Sequence, residues 1–132
     1  IIKLEHSDAR GEIYSISLPN DQELMLLHSK AGSLRGGHSH DVDEIVVLLM
    51  GKMKYIKRNE MGAKYNYEQE SALKNGDASF NPAGEYHMGE FLEDSWLLEW
   101  KIDTNKAGWK NTDYAPWRER VRANATSQES TV

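Results

Sequence analysis

The stretch that decides the fold runs from Gly32 to Gly51 and reads GSLRGGHSHDVDEIVVLLMG. A second block, from Gly76 to His87, reads GDASFNPAGEYH. In the first, His38 and His40 lie two apart, so on a strand both imidazoles project to one face. Glu44 keeps that parity if 41–43 stays extended, although an Asp-rich link is equally able to turn and re-aim it. His87 arrives from far along the chain, just after a Pro82-Ala83-Gly84 turn that can fix where its strand begins. A lone buried histidine is usually a hydrogen-bonded core residue, and a His-x-His pair alone is weak evidence. Three imidazoles and a carboxylate in two spaced blocks are a different matter.

The chain contains no cysteine, which excludes disulfides and thiolate sites and leaves imidazole and carboxylate as the metal-binding groups. Three histidines and one glutamate suit Mn, Fe, Ni, Cu or Zn. Four protein ligands on an octahedral ion leave positions open for water or substrate. The expectation is one divalent transition metal per chain.

Working outward, short apolar or β-branched segments alternate with turn residues, the signature of an all-β sandwich or barrel. Strands are expected at 12–17, 23–28, 44–50, 52–57, 64–68, 77–81, 86–91 and 96–102. Between them lie Pro19-Asn20-Asp21, Ala31-Gly32-Ser33, Asn75-Gly76-Asp77 and the Pro82 turn. The strand from Glu44 is apolar on both faces, Val46, Leu48 and Met50 on one and Ile45, Val47 and Leu49 on the other, as when a strand is covered on both sides. A second subunit would supply that cover, and so would the chain's own N- or C-terminal segment. Trp96, Leu98, Trp100 and Ile102 alternate and read as core, with Glu99 and Lys101 a solvated pair on the opposite face. Met50, Met53 and Met88 read as core fillers or lining, and Gly36-Gly37 as a place where backbone passes close to a metal or ligand.

The composition changes after residue 108. Asp113-Tyr114-Ala115-Pro116-Trp117 followed by a basic run reads as a capped start and a short helix, with a polar, frayed end from Ala125. The division is therefore a β-barrel over 1–108 and a C-terminal arm over 109–132. Trp109, Tyr114 and Trp117 are placed to pack the arm onto the barrel; a lid over the site is the sharper alternative.

The length of 132 residues fits one domain, and a net charge of −5 argues against a nucleic-acid surface. The longest apolar run, 45–50, is far too short to span a bilayer, and the visible start lacks a secretory pattern. No membrane partner and a cytoplasmic location are expected. Serine-hydrolase and phosphate-loop patterns are absent.

The two blocks are similar to the paired motifs of the cupin superfamily. Nine positions match at fixed spacing, about a one in 10¹¹ event at ordinary residue frequencies. The resemblance covers 32–51 and 76–87 residue by residue and 8–103 as a strand pattern, departing at Phe91, where the family often has Asn. It implies a jelly-roll (double-stranded β-helix) barrel with the metal inside, His38, His40, Glu44 and His87 as its ligands, and frequent dimerisation, so a homodimer is expected. Asp8-Ala9-Arg10-Gly11 and Arg35-Gly36-Gly37-His38-Ser39-His40 look like segments of cupins that act on nucleotide-linked sugars. In those relatives the Arg at the Arg35 position helps hold a phosphate or sugar, and the His at the His38 position serves as general base in metal-free epimerases. Surface salt bridges are the plainer roles for Arg35 and Arg10. A metal-bound imidazole nitrogen cannot accept a proton, so with the full ligand set present His38 reads as ligand. Tyr86, Glu85 or a metal-bound hydroxide is then left to move the proton, with Tyr86 on the opposite strand parity.

Cupins include isomerases, dioxygenases and non-enzymatic modules, so fold does not fix function. The reading is a metal-dependent enzyme isomerising or epimerising a small oxygenated, sugar-derived molecule. An Fe(II) dioxygenase and a non-catalytic small-molecule binder are the alternatives.

Overall fold

The computed structural model of this protein describes residues 1–59, 64–65, 67–102 and 110–130. Eleven strands and one α-helix are formed among them: β1 (Ile2–Asp8), β2 (Gly11–Ser17), β3 (Glu23–Ser29), β4 (Leu34–His40), β5 (Glu44–Met50), β6 (Lys52–Arg58), β7 (Glu68–Lys74), β8 (Ala78–Asn81), β9 (Tyr86–Phe91), β10 (Ser95–Lys101), β11 (Asn111–Asp113) and α1 (Ala115–Ser130). A single 3₁₀ turn, Pro19–Asp21, joins β2 to β3.

All pairings are antiparallel, in a six-stranded sheet of order β1-β2-β3-β10-β5-β8 and a five-stranded sheet of order β11-β4-β9-β6-β7. From β3 to β6 the chain changes sheet at every connection, the jelly-roll path. The expected barrel is corrected in one respect: the two sheets face each other without closing, and among the described residues no ladder joins their edges. The physical reason is local. Corners such as Gly51 and 41–43 carry the chain across in one to three residues, so connections rather than hydrogen-bonded edges span the gap.

Between the sheets lies the core, Leu27, Val46, Leu48, Met53, Tyr55, Leu73, Phe91 and Leu97. Met53 and Met88 are buried fillers as expected, but Met50 is 60% exposed because it stands where β5 leaves the sandwich. The reading of β10 is overturned. Leu97 packs in the core and Glu99 and Lys101 turn inward, while Trp96 and Leu98 are half-buried and Trp100 is exposed on the outer face. A strand with apolar residues on both faces offers two parities, and assigning its charges to solvent chose the wrong one.

α1 covers the outer face of the five-stranded sheet. Trp117, Val121 and Ala125 recur every four residues and are buried, a narrow apolar stripe on an otherwise polar helix. Trp117 and Val121 pack with Ile56, Tyr86 and Met88, and Tyr114 joins them. Trp117 Nε1 donates to Glu68 Oε1 at 2.7 Å, fixing the helix to edge strand β7. The helix runs to Ser130, longer than the short element expected. Tyr114 and Trp117 therefore pack; Trp109 and the boundary at 108/109 lie outside the described residues, as does part of the strand expected at 64–68, whose described neighbour is β7.

Candidate metal centre

Three strands bring the four candidate ligands to one point. β4 brings His38 and His40, with a bulge between Gly36 and His38, and pairs His38 directly with His87 of β9. β5 brings Glu44, flanked across its ladders by Asn81 of β8 and Lys101 of β10. The link at 41–43 is a bend, so Glu44 is re-aimed from the opposite sheet rather than continuing the parity of β4. The two sequence blocks are tied together by a backbone and a side-chain acceptor: Gly84 N donates to His40 O at 2.8 Å and Ala83 N to the Asp43 carboxylate Oδ1 at 2.9 Å.

The three imidazoles form a nearly equilateral triangle, with ring centroids 4.8 Å apart for His38–His40, 5.0 Å for His38–His87 and 4.9 Å for His40–His87. Glu44 is fully buried; its Oε2 lies 3.3 Å from His40 Nε2 and its Oε1 3.5 Å from His87 Nε2. Asn81 Nδ2 donates to Glu44 Oε1 at 3.0 Å and to Tyr55 Oη at 2.6 Å. Lys101 Nζ sits 2.9 Å from Glu44 Oε2. On the far side His40 Nδ1 donates to Asn111 Oδ1 at 2.5 Å, a bond that holds the ring with Nε2 toward Glu44.

These groups fall into two overlapping clusters able to hold a metal ion: His38, His40 and His87, and His40, Glu44, His87 and Glu99. The fit is chemical as well as geometric. His87 Nε2 is buried and has no hydrogen-bond partner among the described residues, a cost that a cation removes. Burial pushes the His87 imidazole down to about 3, and burial with the neighbouring His40 pushes His38 down to about 4. Both are therefore neutral near pH 7, the form that binds metal. Burial opposes ionisation of Glu44, but His40, Lys101 and His87 hold its carboxyl below the usual carboxylate range.

A cavity of about 270 Å³ opens beside the triangle, with His38 and His87 in its wall. Its other polar groups are Arg10, Arg35, Tyr55 and Glu99; Ile13, Leu27, Met53, Phe91 and Leu97 supply apolar surface. Arg35 is buried and held by neutral oxygens, Nε donating to Ser29 Oγ at 2.7 Å and Nη2 to His28 O at 3.2 Å. It is not a surface salt bridge. Arg10 does form an exposed one, with Asp8 at 2.7 Å, and still lines the cavity. Gly36 belongs to the cavity wall and to the β4–β9 contact, since a Cβ there would lie 2.7 Å from His87 O. Gly37 serves something else: a Cβ there would lie 2.7 Å from Arg118 Cβ, so it admits α1 rather than a ligand.

Tyr86 and Glu85 are not in this cavity wall. Tyr86 lies on the opposite face of β9, against Tyr114 and Trp117 at 5.1 and 6.5 Å. Glu85 accepts from Tyr67 Oη at 2.5 Å and pairs with Lys57 at 3.3 Å. Sequence reasoning missed Asn81, Asn111, Glu99, Lys101 and Tyr55. For Asn81 a signal existed: it immediately precedes the Pro82 turn.

No family model matches the sequence, and no curated protein matches it. Solved structures do. The capsular polysaccharide assembling protein CapF from Staphylococcus aureus aligns with a TM-score of 0.66 at 20% identity over 86% of this chain and 34% of its own. Vicilin from Corylus avellana gives 0.69 at 14% identity, covering 83% and 32%. A variant of oxalate decarboxylase from Bacillus subtilis gives 0.64 at 17% identity, covering 79% and 28%. The chain thus spans about a third of the length of the solved chains it matches. Its fold is the cupin fold, and a His/Glu cluster that could hold a metal lies between the two sheets.

Proposed function

We propose that His38, His40, Glu44 and His87 hold one divalent transition metal per chain, and that the protein is a metal-dependent enzyme isomerising or epimerising a small oxygenated, sugar-derived molecule. The observation that carries this reading is the triangle of imidazoles, two of which, His38 and His87, line a cavity that also holds Arg10 and Arg35. When bound, the metal supplies a Lewis acid for a substrate oxygen. Arg35, preset by Ser29 and His28, offers planar donors to an anionic or oxygen-rich group. Tyr55 lines the cavity, and burial keeps its phenol protonated, its pKa raised well above the ordinary value. Because Asn81 donates to its oxygen, Tyr55 keeps its own proton available for a substrate oxygen. The likeness to a capsular polysaccharide assembling protein supports a carbohydrate substrate.

Elemental analysis of protein purified without a metal-affinity column tests the first half. About one metal ion per chain is expected, lost in a folded His40→Ala variant. A panel of sugar nucleotides tests the second half by thermal shift, since a ligand of the native state stabilises it. No shift with any of them, together with oxygen uptake in the presence of Fe(II), would replace the isomerase with a dioxygenase.

A homodimer belongs to the same proposal. The outer face of the six-stranded sheet carries two unbroken cross-strand rows, Ile2-Ile16-Leu24-Trp100-Ile45-Phe80 and Leu4-Tyr14-Leu26-Leu98-Val47-Ala78. Phe80 is 51% exposed and Trp100 38%, and an apolar surface of that continuity is unusual on a monomer.

A further inference from the structure

We propose that Glu99 is a fifth protein ligand of the metal centre, a second carboxylate acting beside Glu44; the inference rests on the metal-binding reading above. Its β10 position faces inward next to Lys101, and its side chain lines the cavity shared with His38 and His87. A Glu99 carboxylate oxygen and one donor atom from each of His40, Glu44 and His87 all lie within 4.8 Å of one another. Donors on a single ion at about 2.0–2.2 Å stand no more than about 4.4 Å apart, so a contraction of a few tenths of an ångström brings the group onto one cation. His40 and His87 belong to both clusters, so an ion held between them would draw on His38 from one cluster and on the two carboxylates from the other.

Charge favours the same arrangement. Two carboxylates facing each other in a buried site repel, and Lys101, 2.9 Å from Glu44 Oε2, is one positive charge against two negative ones. A divalent cation placed between them relieves that repulsion, and the two carboxylates together match its charge. An octahedral ion then keeps one position for a substrate atom, which confines the substrate to single-atom contact with the metal.

The test is titration of the metal-free protein with Co(II), followed by calorimetry and visible absorption, in the wild type and in Glu99→Gln. This nearly isosteric change deletes a buried like charge and removes the ligand oxygen. The expected result is one Co(II) per chain in the wild type. In Glu99→Gln the affinity falls about 10-fold or more, the Co(II) absorption changes in intensity, and the metal-free melting temperature is equal or higher. Wild-type affinity with an unchanged spectrum in the variant overturns the proposal while leaving the four-ligand centre standing. Weaker binding with an unchanged spectrum also overturns it, since Glu99 would then act through space. A wild type that binds no Co(II) overturns this inference and the metal-binding reading together. If Glu99→Gln does not fold, Glu99→Asp replaces it with the same readouts, its retracted oxygen altering affinity and spectrum only if Glu99 ligates.

Discussion

At the scale of single residues, burial holds two of the candidate ligands, His38 and His87, in their neutral form. His38 and His87 titrate in the folded chain at about 4 and about 3, against 6.5 for an ordinary histidine. Between those values the unfolded chain binds protons that the folded one refuses, so stability rises with pH there. The contribution of both residues is fully present above pH 6.5 and is lost as pH falls toward 4. The urea midpoint of the metal-free protein should accordingly decline from pH 7 to pH 4. A midpoint that stays flat over that range would mean the two rings are solvated. The four candidate ligands were legible in the sequence because the spacing of the blocks carries them. Glu99 and Lys101 were not. Alternation along Trp96-Leu97-Leu98-Glu99-Trp100-Lys101 defines two faces, yet nothing local says which is inside, and a charged residue is placed outside unless a compensating partner is known.

At the scale of elements, the C-terminal segment supports the centre from behind. β11 pairs with β4 residue against residue, Asn111 with His40 and Asp113 with His38, and α1 follows at once and anchors through Trp117. Trp117→Ala removes a fully buried ring and its bond to Glu68, which should cost about 3–5 kcal/mol in denaturant unfolding. The same variant should bind metal more weakly, because freeing α1 loosens the strand that holds His40 through Asn111. Unchanged stability would show that the helix is dispensable. β5 and β9 matched their sequence bounds because dense apolar and β-branched runs mark them. β1 has no buried residue and was invisible for that reason. β4 was hidden by Gly36-Gly37, whose poor strand propensity is overridden by the close approach of His87 and Arg118.

At the scale of the whole molecule, the outer face of the six-stranded sheet presents an apolar surface that a partner would cover. α1 covers the other sheet instead, and neither terminus reaches the apolar rows as a packed layer among the described residues: β1 merely extends the sheet at its edge. A second copy seated on these rows predicts elution at twice the chain mass in size-exclusion chromatography, with Leu98→Lys shifting the protein to monomer. A wild-type monomer would remove the homodimer and leave the metal centre untouched.

The order of residues carried the class of fold and the convergence of His38, His40 and His87, because those residue types recur at spacings that chance does not supply. The tertiary structure alone decided that the two sheets stay open, that Glu44 comes from the sheet opposite His38 and His40, and that Glu99, Lys101, Asn81 and Asn111 complete the surroundings. Those facts depend on which face of each strand is buried and on which distant segment lies alongside. Both are set by packing across the whole sandwich rather than by the order of residues within one strand.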